Sequence, residues 1–142
     1  NAYKAQVIPG NSQLDIDMDI YAPCALGATL NSVSIPSLKC QVIAGGANNQ
    51  LQDEVEHAQM LKERGILYAP DFLINSGGII NVYLEYTGKY NRELAYQKAQ
   101  SIYDTCLELI DRSQHLDITT HQAALQMARD RIERVGKVKL TF

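Results

Sequence analysis

The chain has 142 residues, 46% of them hydrophobic, and a formal net charge of -3 at pH 7, with a pI near 5.5. That length suits one domain, able to bury about 70% of its unfolded surface. The acidic balance, without a basic stripe, argues against a nucleic-acid partner, and no apolar run approaches the roughly 20 residues of a membrane span. Cys24, Cys40 and Cys106 are far apart, with no C-x-x-C, which fits a reduced, cytoplasmic protein without a secretory signal. The chain opens on Asn1-Ala2 rather than Met, as the remainder of a cleaved tag would, and so reads as a piece of something longer.

In chain order, "KAQVI" (4–8) is the first predicted strand, closed by the turn signal Pro9-Gly10-Asn11-Ser12. "DMDIYAP" (17–23) is the second, with acidic residues leading into an apolar end. "NSVSIPSLK" reads as a short helical turn or loop, since Pro36 disfavours helix at Ile35. "KCQVIAGG" (39–46) is a third strand. Residues 54–65, "EVEHAQMLKERG", are a helix with Val55, Ala58, Met60 and Leu61 as apolar positions and Gly65 as its stop. "ILYAP" (66–70) is a fourth strand, and the run "YAPDFLINSGGIIN" (68–81) reads as a buried strand turning into a helix. From Gly77 the pattern is helical, with Leu94, Ala95, Ala99, Ile102, Tyr103, Cys106, Leu107 and Ile110 at helical spacing. A last helix, 119–136, offers Thr119 and Gln122 as a capping box, the stripe Ala124, Met127, Ala128, Ile132 and Val135, and Gly136 as a stop. Strands alternating with helices predict an α/β fold with a parallel sheet, followed by C-terminal helices.

Three of the predicted strands end in small or amide residues: "APCALG" (22–27), "AGGANNQ" (44–50) and "INSGG" (74–78). In an open parallel sheet a ligand lies outside the carboxyl ends of the strands, so all three stretches belong on one rim. Ala25, Gly27, Gly45, Gly46, Gly77 and Gly78 would let a flat ligand approach the backbone, and Asn48, Asn49 and Asn75 supply amide donors and acceptors. Any one stretch alone reads equally as an ordinary tight turn.

"DIYAPCALGATLN", "VIAGGANNQL" and "GILYAPDFLINSGGIINV" together resemble the dinucleotide-binding domain of the glutamate/leucine/phenylalanine/valine dehydrogenase family, nearest its leucine-, phenylalanine- and tryptophan-acting branch. The likeness continues through "YDTCLELI" and "MARDRIERV", nearly to the end of the chain. It implies the second half of a Rossmann-type doubly wound parallel sheet, with strands and helices over about 3–76 and C-terminal helices over about 77–136. It also implies NAD as cofactor, an amino acid and its 2-oxo acid as substrates, and a homo-oligomer. In the implied reaction a hydride leaves the α-carbon of an L-amino acid for the nicotinamide, and the imine hydrolyses to a 2-oxo acid and ammonia. Carried over by residue, Cys24, Ala25 and Leu26 lie along the cofactor near its ribose. One of Asn48 and Asn49 bonds the nicotinamide ribose or the substrate carboxylate, and Asn75 fixes the nicotinamide carboxamide. Ile79 and Val82 share a helix face that lines the substrate side-chain pocket, with core packing as the alternative.

Two departures qualify the likeness. Ser76 stands where the nearer relatives usually carry Ala. The G-x-G-x-x-G motif, the lysine-bearing glycine-rich segment and the catalytic Asp do not occur within these residues, so no catalytic residue is assigned and the chain alone is expected to be inactive. Lys39, Lys62 and Lys89 have no motif around them and read as solvated charges. His57, His115 and His121 lack metal-ligand spacing and read as surface or packing residues, and no metal is expected. Asp15, Asp17 and Asp19 read as a strand edge facing water, and the tyrosines as core rather than site. If residues 4–8 are strand 3 of a 3-2-1-4-5-6 sheet, their neighbours are absent, and the strand near residues 19–22 should meet another chain or a displaced segment. A non-catalytic nucleotide-binding or oligomerisation module is the other reading of the same residues.

Overall fold

A computed structural model describes residues 5–8 and 14–137. Three short parallel strands, β1 (Ile20–Tyr21), β2 (Val42–Ile43) and β3 (Leu67–Tyr68), lie in the order β1-β2-β3. Register pairs Ile20 with Val42 and Tyr21 with Ile43, then Val42 with Leu67 and Ile43 with Tyr68. The ladder continues just beyond the strands: Gln41 and Ala44 donate to Asp19 and Tyr21, and Leu67 and Ala69 to Gln41 and Ile43. Parallel neighbours need a crossover between them. The first contains a 3-10 turn at Ile35–Ser37, and the second is α1 (Glu56–Glu63). Pro36 inside the 3-10 turn matches the short helical turn expected there. Gly65, at φ 68, ends the α1 segment in the left-handed region that favours glycine.

The sheet buries one compact cluster. Leu30, Ile35, Leu38, Ile43 and Leu61 are wholly inaccessible, with Tyr68 beside them. Aliphatic side chains from the strands, the 3-10 turn and α1 meet there, which fixes the crossovers against the sheet. After β3 come α2 (Asp71–Ile74), α3 (Gly77–Tyr86), α4 (Arg92–Leu116) and α5 (Thr120–Gly136). The last two pair through Leu109, Ala123 and Ala124, with Leu73, Ile110, Ile118 and Met127 packed around them. Both helices are capped as their sequences allow. Asn91 Oδ1 accepts from Leu94 N at 3.1 Å. Thr119 and Gln122 form the expected reciprocal box, each side chain accepting from the other's backbone N–H at 3.1 Å.

Three expectations change: the strand at 4–8, the run at 68–81 and the burial of the tyrosines. Residues 5–8 form no strand and are exposed; Lys4 and the Pro9–Ser12 turn signal lie outside the described residues. β1 ends the strand order, paired with β2 on one side among the described residues. The run at 68–81 is not a strand leading into one helix. Pro70, at φ -55, ends the strand and presets helical entry, so α2 makes a single turn before the chain breaks at Asn75-Ser76 and restarts as α3. "INSGG" is therefore a break between two helices rather than a strand end. The tyrosines are also less buried than expected: Tyr83, Tyr86, Tyr90, Tyr96 and Tyr103 are all exposed.

Candidate functional site

The loops after β1 and β2 are locked to each other by backbone. Ala47 N–H donates to Pro23 O at 2.9 Å and Ala28 N–H to Asn49 O at 2.7 Å. At Gly45 and Gly27 this contact leaves no room for a side chain. A Cβ on Gly45 would lie 2.2 Å from Pro23 O, and one on Gly27 would lie 2.9 Å from Asn48 O. At Gly77 and Gly78 a Cβ would meet nothing within 4 Å. The price of the tight junction is two residues in the left-handed region, Ala28 at φ 56 and Asn49 at φ 52. Asparagine adopts it readily; alanine does so at a cost. Gln50, fully buried, braces the second loop from below, its Nε2 donating to Gly45 O at 2.7 Å and Ala47 O at 2.9 Å.

This bracing aims Asn48 at the break between α2 and α3. Asn75 Nδ2 donates to Asn48 Oδ1 at 2.6 Å, so two loops far apart in sequence share one hydrogen bond at the rim. The bond uses one donor of Asn75 and the acceptor of Asn48, which leaves Asn75 its carbonyl and Asn48 its NH₂. Around the pair is a cleft of about 650 Å³, lined by Gly46, Asn48, Asn49, Asn75, Ser76 and Ile79 together with Glu54, Asp71 and Phe72. It lies beyond the carboxyl ends of the strands, where an open parallel sheet takes its ligands.

Four of the predicted residues, Asn48, Asn49, Asn75 and Ile79, thus share the cleft. Val82 is not among its lining residues but is exposed one helical turn on, and Ile79 is 71% exposed, so neither is core in this chain. Cys24, Ala25 and Leu26 sit on the neighbouring loop, exposed and outside the cleft lining. Cys24 touches the site through Gly46, whose N–H donates to Sγ at 3.4 Å. Ser76 turns its hydroxyl away from the rim, donating to Leu73 O at 2.6 Å within the helix break.

Sequence reasoning missed Asp71, Phe72 and Glu54 as cleft residues. Asp71 is 9% exposed and accepts from Phe72 N at 2.9 Å and Gln50 N at 3.4 Å, so one carboxylate ties α2 to the second loop. Its signal was the Pro-Asp pair, a helix start. Burial, with the charge of Asp71 next in weight, drives the phenol of Tyr68 well above its ordinary range and keeps it protonated. Phe72 walls the cleft and also lines a groove of about 290 Å³ between α4 and α5. Behind it stands His121, 4% exposed, its ring edge-on to Phe72 at 5.5 Å. Glu54 Oε2 comes within 3.4 Å of its Nε2, yet neither ring nitrogen has a hydrogen bond to a described residue. An unsatisfied buried polar group costs about 1–3 kcal/mol. His57 is different. Also buried, it is satisfied by Asp53 N–H on Nδ1 at 2.8 Å and Ser32 Oγ at 3.0 Å, a packing role as expected. Among the described residues no group of three or more His, Cys, Asp or Glu is placed to hold a metal ion. No described helix is long and apolar enough to cross a membrane.

Comparison with known proteins places this geometry. Residues 1–139 match the model of the Glutamate/Leucine/Phenylalanine/Valine dehydrogenase family. The chain is 47% identical over 137 residues to L-tryptophan dehydrogenase of Nostoc punctiforme, covering 96% of this chain and 38% of that protein. It is 46% identical over 140 residues to leucine dehydrogenase of Thermoactinomyces intermedius, covering 99% of this chain and 38% of that one. The crystal structure of L-tryptophan dehydrogenase from Nostoc punctiforme superposes with a TM-score of 0.84 at 48% identity, over 87% of this chain and 37% of that one. A hetero-hexameric glutamate dehydrogenase from Thermus thermophilus, 19% identical, shares the fold with a TM-score of 0.70 over 88% of this chain and 32% of that one. The chain spans about a third to two fifths of the length of these relatives. The spliced loops, the Asn48–Asn75 pair and a family match spanning residues 1–139 agree: the chain belongs to the Glutamate/Leucine/Phenylalanine/Valine dehydrogenase family.

Proposed function

We propose that this chain is the nicotinamide-side part of an NAD-dependent L-amino-acid dehydrogenase, which interconverts a branched-chain or aromatic L-amino acid with its 2-oxo acid and ammonia. The observation that carries the reading is the Asn48–Asn75 hydrogen bond at the cleft rim. A carboxamide presents one carbonyl and one NH₂, and the carbonyl left on Asn75 and the NH₂ left on Asn48 are its complement. The residues therefore fit the end of a nicotinamide dinucleotide, which when bound supplies the hydride acceptor of the oxidation. Asn75 orients that carboxamide, and Asn48 or Asn49 bonds its ribose or the substrate carboxylate. Cys24, Ala25 and Leu26 lie alongside the ribose. Ile79 and Val82 give the substrate side chain an apolar wall, and the exposure of both leaves them free to do so. Proton transfer falls to residues outside these 142, because no acid–base group with a suitable motif stands among them.

The test is oxidation of aliphatic and aromatic L-amino acids by the full-length protein, followed as dinucleotide reduction. Asn75→Ala should raise the dinucleotide KM about tenfold, the size of a lost hydrogen-bond pair. An unchanged dinucleotide KM in that variant would remove the assignment of Asn75, and no turnover of any L-amino acid would remove the reading.

A further inference from the structure

The loop after β2 has two sides. Gly46, Asn48 and Asn49 are exposed and line the cleft, whereas Gly45, Ala47 and Gln50 are buried. One side chain organises the inward side. Gln50, fully inaccessible, folds back under its own loop, and its Nε2 donates to Gly45 O at 2.7 Å and to Ala47 O at 2.9 Å. Both neighbours are carbonyls, which accept and do not donate, so only the NH₂ of the amide can face them. Oε1 has no hydrogen bond to a described residue, so the amide acts as a donor alone. The backbone of Gln50 is anchored independently. Its carbonyl accepts from Leu30 N at 2.9 Å, and its N–H donates to Asp71 Oδ2 at a longer 3.4 Å. The backbone oxygen of Asp71 in turn accepts from Asn75 N at 2.9 Å. Buried contacts thus run from this loop to the helix break, behind the exposed Asn48–Asn75 bond.

We propose that Gln50 is a positioning residue for dinucleotide binding: by holding the carbonyls of Gly45 and Ala47 from an anchored backbone, it fixes the curl of the loop and so the point from which Asn48 reaches into the cleft. The inference rests on the dehydrogenase reading above, in which Asn48 meets the cofactor. Gln50 is not among the residues that line the cleft, so it acts through Asn48 rather than on a ligand. Asn48 stands between the held carbonyl of Ala47 and Asn49 at φ 52. Its side chain bonds Asn75 at 2.6 Å. A loop shift of about 1 Å would stretch that bond beyond hydrogen-bonding range and turn the free NH₂ of Asn48 off its target. An apolar side chain of the same length would fill the same space but release both carbonyls, loosening the loop without emptying the core.

The experiment is a double-mutant cycle of Gln50→Met and Asn48→Ala in the full-length protein. It reads the dissociation constant of reduced nicotinamide dinucleotide, by the fluorescence of the dinucleotide, and the unfolding midpoint of each variant. Gln50→Met keeps the length of the side chain and removes its donors. Alone, Asn48→Ala should weaken binding about tenfold and Gln50→Met about fivefold. In the Asn48→Ala background, Gln50→Met should add less than about twofold, because the side chain it positions is gone. A merely structural role does not give that pattern. The unfolding midpoint should fall equally in both backgrounds, while the effect on affinity disappears in one of them. Gln50→Asn keeps the amide but stops one methylene short of the carbonyls, and it takes the same cycle if Gln50→Met does not fold. Multiplicative losses in the double variant, or unchanged affinity in either single variant, overturn this inference and leave the dehydrogenase reading intact. Failure of the unsubstituted protein to bind the dinucleotide overturns both.

Discussion

Gly45 shows how the structure can supply a reason for a residue that the sequence did not. Its lack of a side chain suggested room for a ligand; the missing Cβ also makes room for Pro23, whose carbonyl oxygen would lie 2.2 Å from it. Backbone cannot rotate out of such a contact as a side chain can. Gly45→Ala should therefore destabilise the protein by about 1–3 kcal/mol or more, as overpacking does. Gly46→Ala is the control: its Cβ would meet Cys24 Sγ at an ordinary 3.9 Å, and its stability should change by about 0.5 kcal/mol or less. Denaturant midpoints of the two variants check both. Ile79 and Val82 carry the opposite expectation. They are 71% and 59% exposed, so Ile79→Ala and Val82→Ala should leave stability nearly unchanged. In the full-length enzyme they should shift the ratio of kcat/KM between leucine and phenylalanine by about 1–3 kcal/mol, the usual worth of a methylene-scale change in a pocket. A fall in stability with an unchanged ratio would return them to the core.

Between elements, single polar contacts decide how the helices meet the sheet. Lys62 on α1 reaches the turn between α4 and α5, donating to Asp117 Oδ1 at 2.7 Å and to its backbone oxygen at 2.6 Å. The hydrogen bond and charge of Lys62 hold the Asp117 carboxyl below its ordinary value of 3.8. A depressed carboxyl stabilises the fold above its unfolded value, and that contribution disappears as pH falls through the lower folded value. Asp117 also sits at φ 53, a conformation asparagine tolerates, so Asp117→Asn removes the charge without straining the backbone. The variant should be slightly less stable than the parent at neutral pH, and the gap should close as pH falls below about 4. Thermal unfolding of both proteins across that range is the measurement, and a gap that persists in strong acid would mean the charge does not contribute. The capping box of α5 obeys local rules more fully: Thr119 and Gln122 take up their reciprocal bonds wherever the helix is placed.

For the whole molecule, the side of β1 that pairs with no described strand and the exposed positions of the helical stripes are the main facts. Ile20 is 60% exposed at the sheet edge. Ile132 and Val135 on α5, and Tyr103 on α4, are each more than 60% exposed, although their spacing belongs to the apolar face of a helix. On the proposed function these residues supply the cofactor side and not the proton transfer, so the 142-residue chain by itself should reduce no dinucleotide with any L-amino acid. Turnover above blank by the purified chain, contaminants excluded, would show that the missing chemistry has been sought in the wrong place.

What the sequence determined by itself is what depends on near neighbours. The parallel α/β plan, α1 and its glycine stop, the long helices and the capping box all follow from periodicity and from hydrogen bonds between residues three or four apart. The three motifs also marked Asn48, Asn49, Asn75 and Ile79, which do share a cleft. Tertiary structure decided the rest. Residues 4–8 had every local mark of a strand, but a strand forms only where a sheet takes it up, and residues 5–8 join no sheet among the described residues. The helical break at Asn75-Ser76 was hidden because Pro70 and Asp71 lie beside an apolar run that reads as strand and as helix alike. Whether His121 packs or faces water was likewise decided by tertiary structure: its ring lies against Phe72, about fifty positions away in the chain, and no local pattern registers a contact across that distance.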